Sequence, residues 1–256
     1  MLTLAGVLGF PVGHSRSPAM MNAAFAELGL DWLYVRLPVA PERFGETVPA
    51  LAGSGFLGAN VTIPHKLAAH DLATELTEAA TAIGAVNTLS FEDGRIRGDN
   101  TDAGGLIDAL DTDLAGAPVL VLGAGGTGRA AVWALREAGA DVAVWNRTPE
   151  RAAALAAEFG VRHAVTPEQA RVLVNTTSLG MRGEDLPGQL GLDALEPELV
   201  ADVVYGGGRT ALCRWAERRG ARTVDGLEML LRQGARSLEG WTGRQAPLDA
   251  MRDALR

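Results

Sequence analysis

The run Gly123-Ala124-Gly125-Gly126-Thr127-Gly128 constrains this chain more than any other segment, because of what stands on either side of it. Before it lies PVLVL, a short stretch of strand-forming apolar residues, and after it RAAVWALREAG has the composition and period of a helix. A strand that turns through glycines into a helix aims backbone N–H groups and the helix N-terminus at one point. That is how a pyrophosphate is held, the glycines permitting both the tight turn and the close approach. A second strand, DVAVW, follows the helix and ends about 20 residues beyond the glycines, as a dinucleotide-binding βαβ unit requires.

An NAD site usually ends that second strand in Asp or Glu, which accepts from the ribose 2′-hydroxyl. Here the strand ends in Asn146-Arg147-Thr148, with Arg151 one helical turn beyond Arg147. Two guanidiniums so spaced suit a 2′-phosphate through fork-like, charge-assisted hydrogen bonds, with Asn146 and Thr148 adding neutral ones. As a merely solvated pair they would stand at the wrong end of a helix dipole. The reading selects NADP.

The first hundred residues alternate strand and helix patterns. LAGVLGF, WLYVRLPV and GANVTI read as strands; SPAMMNAAFAELG, PERFGETVPALAG and HKLAAHDLATELTEAATAIG read as helices. Asp93-Gly94 marks a hairpin, and DAGGLIDAL a helix after it. From Pro118 a second series alternates again, with VLVNTTS and LVADVVY as later strands, and the last fifty residues return to helix. The fold class expected is α/β: an open α/β domain first, then a doubly wound parallel sheet of Rossmann type, with a cleft between two compact domains.

Composition narrows the function. With 47% hydrophobic residues over 256 positions the chain can bury a substantial core. No apolar run approaches the roughly 18 residues that cross a bilayer, and the N-terminus lacks a basic stretch followed by a cleavable apolar one, so no membrane is expected and the location expected is cytoplasmic. A net charge of −8 without a basic face argues against nucleic acid as a partner. The one cysteine, Cys213, is expected to be a buried structural thiol, and no metal-ligand spacing occurs. Of 23 basic residues, 22 are arginine and one, Lys66, is lysine. A position that keeps lysine where every other cation is arginine can supply what guanidinium cannot, a compact ammonium able to release its proton.

Lys66 follows Asn60-Val61-Thr62-Ile63-Pro64-His65, in which strand alternation puts Asn60 and Thr62 on one side and Pro64 turns the chain into a helix. His65 is expected to be a surface residue at the helix start. Asn87-Thr88 and Asn100-Thr101-Asp102 flank the hairpin at both ends, so the turn can join them. Ser15-Arg16-Ser17-Pro18 lies between the first strand and its helix, where Ser17 is expected to cap that helix, as Asp102 could cap DAGGLIDAL. Hydroxyls, amides, one carboxylate and one amine suit a small polyhydroxylated substrate.

The segments GFPVGHSRSP, GANVTIPHK, GAVNT followed by GDNTD, GAGGTGRAA, NRTPER, NTTSLGM and DGLEMLLRQG occur in that order, and together they resemble the shikimate dehydrogenase family over nearly the whole chain. The resemblance implies reversible, NADPH-dependent reduction of 3-dehydroshikimate to shikimate, in the chorismate branch of aromatic amino-acid biosynthesis. It implies a substrate-binding and catalytic domain of residues 1–102 and 237–256 around an NADP-binding domain of residues 103–236. Carried over by position, it makes Lys66 and Asp102 the catalytic pair, with Ser15, Ser17, Asn60, Thr62, Asn87, Tyr205 and Gln233 as further substrate contacts. It gives cofactor contacts to Gly123, Ala124, Gly125, Gly126, Thr127, Gly128, Asn146, Arg147, Thr148 and Arg151, and, on resemblance alone, to Glu78, Val203 and Gly226. Met21 stands where the family pattern has His, and Ala103 where Gly is frequent. A relative acting on quinate or an amino analogue stays open, as does a silent NADP-binding sensor, although the presence of both Lys66 and Asp102 counts against the sensor. A homodimer is compatible with the sequence, which is silent on oligomeric state.

Overall fold

The computed structural model describes residues 2–206 and 208–256 and separates into two units, one holding the chain up to Gly105 together with Leu231–Arg256, the other Leu106–Leu230. In chain order the first contains β1 (Thr3–Gly9), α1 (Ser17–Glu27), β2 (Trp32–Pro38), α2 (Phe44–Gly53), β3 (Phe56–Val61), α3 (Lys66–Leu72), β4 (Glu75–Leu76), α4 (Glu78–Ile83), β5 (Thr88–Glu92) and β6 (Arg95–Asp99). The next helix, α5 (Thr101–Leu110), leads into the second unit: β7 (Pro118–Leu122), α6 (Gly126–Glu137), β8 (Asp141–Trp145), α7 (Pro149–Phe159), β9 (Arg162–His163), β10 (Val172–Asn175), α8 (Leu186–Leu190), β11 (Leu199–Asp202), α9 (Ala211–Arg218) and β12 (Arg222–Val224). Then α10 (Gly226–Thr242) and α11 (Leu248–Asp253) close the chain, α11 packing on α1.

The first sheet has the order β2-β1-β3-β5-β6-β4, and only β5 runs against its neighbours. Asp93 and Gly94 both take positive φ, 50° and 76°, so the hairpin turn is the tight kind that Asp-Gly favours. Its register pairs Thr88 with Asp99 and thereby sets Asn87 beside Asn100. The long helix expected over 65–84 is instead two short ones with a strand between them. Ala73 turns extended, Thr74 donates both its N–H and its hydroxyl to Ile96 O, and Thr77 caps the second helix by accepting from Ala80 N. Pairing alongside β6, where β4 forms the edge of the sheet, thus outweighs helix propensity there.

The second sheet, β12-β11-β10-β7-β8-β9, is parallel throughout and has the doubly wound order expected of it. Alternate residues of β7 face opposite layers: Val119 and Val121 pack with Val132 and Leu155 of α6 and α7, while Leu120 and Leu122 pack with Leu186, Leu212 and Trp215. Burial on both faces explains the unbroken apolar run in the sequence. No helix among the described residues is long and apolar enough to cross a membrane.

Candidate active site

In the first unit the parallel strands β1 and β3 deliver their loops to one end of the sheet, and the polar clusters lie at the end of β3, on those loops, and at the starts of β5 and α5. Lys66 Nζ donates to Asp102 Oδ2 at 2.5 Å, and both side chains are largely shielded, 12% and 6% exposed. Burying an ion pair does little for stability, and an apolar pair would serve packing as well, so this one asks for a chemical reason. Asn87 holds Asp102 from its other side, Nδ2 to Oδ1 at 2.8 Å, while its Oδ1 accepts from Thr101 N at 2.7 Å. Asn100, not Asp102, caps α5, its Oδ1 accepting from the backbone N–H of Asp102 and Ala103. That correction matters chemically, since it leaves both carboxylate oxygens of Asp102 to Lys66 and Asn87.

Gln233 joins the same group, Asn87 Nδ2 lying 3.3 Å from its Oε1. Closeness here depends on glycine: a Cβ on Gly105 would lie 2.7 Å from Gln233 N. Asn60 donates to Ser237 Oγ at 2.8 Å and to Thr88 Oγ1 at 3.0 Å, and accepts from Tyr34 Oη at 2.7 Å. Ser237 also bonds the hydroxyls of Thr88 and Thr101. Tyr34 and Ser237 escape a reading of sequence alone. The sign of Ser237 is its spacing of four from Gln233, which puts both on one helix face; a tyrosine in an apolar strand gives no comparable sign. The Thr62 hydroxyl makes no hydrogen bond among the described residues, and Glu78 is exposed at the start of α4.

Ser15 and Ser17 are buried, their hydroxyls 3.2 Å apart. Arg16, rather than Ser17, occupies the cap position of α1 and makes no side-chain capping bond; Ser17 is the first helical residue, and its N–H reaches Ser15 Oγ at 3.3 Å. These bonds are long, so the hydroxyls are weakly engaged with each other.

His65 is a correction. It is buried, stacks on Phe44 with ring centroids 4.4 Å apart, and its Nε2 lies 2.7 Å from Val39 O, a carbonyl that can only accept, so Nε2 is the donor. A large apolar surface was available in α2 to stack on, which the local sequence around His65 does not reveal. Desolvation lowers its pKa below the ordinary value, outweighing the bond to Val39 O. Between that lowered value and the unfolded value of about 6.5 the unfolded chain binds more protons, so stability is complete above about 6.5 and declines as pH falls through the window. The urea midpoint of the wild type should therefore fall more steeply from about pH 7 to about pH 5 than that of His65→Phe, whose ring keeps the stack. Equal slopes would exclude His65 as the cause.

In the second unit Gly125 stands at the cap of α6, and a Cβ there would meet nothing within 4 Å, leaving the approach to the helix N-terminus open. Gly123 (φ 114°) and Gly128 face inward instead: a Cβ would lie 2.5 Å from Thr176 Oγ1 at the first and 2.4 Å from Gly123 O at the second. The loop therefore fits a pyrophosphate outside and tight strand-helix packing inside. Ala124, Gly126 and Thr127 complete it, half-buried. Arg147, Thr148 and Arg151 are exposed at the start of α7, and Asn146 Nδ2 donates to Thr148 O at 3.0 Å. Neither guanidinium has an ion-pair partner among the described residues. The residues present fit a 2′-phosphorylated dinucleotide.

A cavity of about 230 Å³ in the same unit is lined by Val204, Tyr205, Arg209, Asp225 and Gly226. Gly226 is required where it stands, since a Cβ would be 2.5 Å from Val204 O. Asp202, beside Val203, accepts from Thr210 Oγ1, Asn175 Nδ2 and Val204 N; its burial pushes its carboxyl above the usual range, those bonds opposing the rise. This network, which fixes the backbone leading to Tyr205, has no counterpart in the sequence reading. No group of three or more His, Cys, Asp or Glu able to hold a metal is found among the described residues.

Three family models match in succession: the shikimate dehydrogenase substrate binding domain over residues 7–89, shikimate / quinate 5-dehydrogenase over 107–176, and the shikimate 5′-dehydrogenase C-terminal domain over 226–256. The shikimate dehydrogenase (NADP(+)) of Methanothermobacter thermautotrophicus is 45% identical, covering 99% of this chain and 95% of its own, and that of Brucella abortus is 48% identical, covering 94% and 89%. The crystal structure of the Thermus thermophilus shikimate 5-dehydrogenase in complex with NADP(H) and shikimate superposes with a TM-score of 0.90 at 40% identity, covering 98% of each chain. On sequence and fold together, this chain belongs to the shikimate dehydrogenase family.

Proposed function

We propose that the protein is an NADP-dependent shikimate dehydrogenase, catalysing the reversible reduction of 3-dehydroshikimate to shikimate on the route to chorismate and the aromatic amino acids. The observation that carries this is the shielded Lys66–Asp102 pair, oriented by Asn87, in a nest of hydroxyl and amide groups. The relatives' names and the ligands of the Thermus thermophilus structure support the same reading.

Lys66 Nζ takes the proton of the substrate hydroxyl during oxidation and returns it to the carbonyl oxygen during reduction. Asp102 accepts from the substrate hydroxyl and from the amine, holding the two in register, and Asn87 keeps Asp102 from turning away. Ser15 and Ser17 receive the ring carboxylate, and Asn60, Thr62 and Gln233 orient ring hydroxyls, with Tyr205 as a further contact. Bound NADP supplies the hydride acceptor. The glycine loop would hold its pyrophosphate, and Arg147 and Arg151, with Asn146 and Thr148, its 2′-phosphate; Glu78, Val203 and Gly226 are further cofactor contacts in the proposal. The setting proposed is the cytoplasm, with a monomer and a homodimer equally suited to the chemistry.

The test follows nicotinamide absorbance with shikimate or quinate, each with NADP or NAD. Shikimate with NADP is expected to exceed the other pairs in kcat/KM by at least about tenfold, the scale set by one well-placed hydrogen bond or charge. Preferred turnover of quinate would move the protein to that branch of the family. Tight NADP binding without turnover of either acid would make it a sensor.

A further inference from the structure

Two side chains of β2, the buried Tyr34 and the exposed Arg36, bond to residues of the candidate site. Tyr34 and Arg36 are two residues apart and so project from the same face of the strand. Tyr34 donates to Asn60. Arg36 donates twice to one acceptor, the backbone carbonyl of Ser15, from Nε at 3.0 Å and from Nη2 at 2.6 Å. A guanidinium fork closed on a carbonyl spends no charge. Arg36 has no ion-pair partner among the described residues, whereas in this acidic chain Arg129, Arg136, Arg162, Arg171, Arg209 and Arg219 each pair with a carboxylate. Its full positive charge is thus fixed on the peptide of Ser15, the residue whose hydroxyl and that of Ser17 are only loosely bonded to each other.

Resting on the functional reading above, we propose that Arg36 determines specificity for an anionic ring substrate: it sets the Ser15-Arg16-Ser17 turn and supplies the positive potential that the two serine hydroxyls lack. Hydroxyls alone favour a carboxylate over a neutral ester only through their charge-assisted hydrogen bonds, with no cation to balance the charge they take from water. An uncompensated cation behind them favours the anion. Arginine is suited to this because its fork grips the carbonyl with two bonds and cannot lose its charge, while lysine offers one point contact.

The experiment compares shikimate with its methyl ester, as KM, or as Ki against shikimate if the ester is not turned over, in the wild type, Arg36→Met and Arg36→Lys. Arg36→Met keeps the apolar stem and removes the charge. It is expected to raise KM for shikimate about tenfold and to shift the ester constant less than about twofold, the loss of one partly screened charge interaction. Arg36→Lys should retain most of the preference for the acid. Added salt should raise KM for shikimate in the wild type and much less in Arg36→Met. The ester constant also reports whether the site is still formed. Equal weakening of acid and ester would mean that Arg36 only shapes the turn and would overturn the proposal, as would no change in either. A wild-type protein that does not oxidise shikimate at all would remove the functional reading first, an outcome visible before any variant is made.

Discussion

Lys66→Arg is expected to lower kcat for shikimate oxidation by about 10²–10⁴, the range for loss of a general acid-base group, and to leave NADP affinity by calorimetry within about twofold. Arginine is the informative substitution. Lys66→Ala would strand Asp102 as a shielded, unpaired carboxylate, at a cost of about 3–5 kcal/mol for a fully buried pair, so that lost activity and lost stability would be confounded. The guanidinium of Lys66→Arg preserves a cation facing Asp102 Oδ2 and holds its proton at any accessible pH, so what is removed is proton transfer. The effect should fall on kcat and on kcat/KM alike, because the interaction is made as the hydroxyl proton moves. Turnover within a few-fold of wild type would exclude Lys66 as the proton carrier, whatever its place in binding. A fall in NADP affinity matching the fall in kcat would instead point to a disrupted fold.

The residues that announce themselves in the sequence are those whose chemistry is local. Gly123 to Gly128 signal a phosphate loop because the strand before and the helix after are adjacent in the chain, and the structure sets Gly125 at the cap of α6 as that pattern requires. Lys66 stands out against 22 arginines, and Asn87 and Asp102 become neighbours through a hairpin whose Asp93-Gly94 turn is itself readable. What sequence does not disclose depends on partners far along the chain. His65 is buried because Phe44 of α2 lies under it; Asn60 is oriented by Tyr34 and by Ser237, 177 positions away. The segment 65–84 has unbroken helical character, yet β6 offers Thr74 better hydrogen bonds than a helix would. Capping shows the same limit on a smaller scale. Ser17 and Asp102 have the right chemistry for N-caps, but Arg16 holds the first position and Asn100 the second, and both displaced side chains are left facing the site instead.

Replacing Arg147 and Arg151 together by alanine is expected to lower kcat/KM for NADP by about 10²–10³, while kcat/KM for NAD changes less than about threefold. Each guanidinium is exposed and carries no ion pair among the described residues, so nothing in the protein competes for it and nothing is left unpaired on its removal. Charge-assisted hydrogen bonds contribute about 1.5–3 kcal/mol apiece where well formed, and solvent exposure of this site places the sum toward the low end. The variant also separates binding from stability by sign. Arg147 stands just before the cap of α7 and Arg151 in its first turn, where cations oppose the helix dipole, so the thermal midpoint should stay level or rise as NADP affinity falls. Salt supplies an independent check, since the advantage of wild type over variant with NADP should shrink as ionic strength increases. Equal NADP affinity in variant and wild type would refute the phosphate clamp and leave the choice of cofactor to the glycine loop, which grips the pyrophosphate common to both dinucleotides and cannot tell them apart.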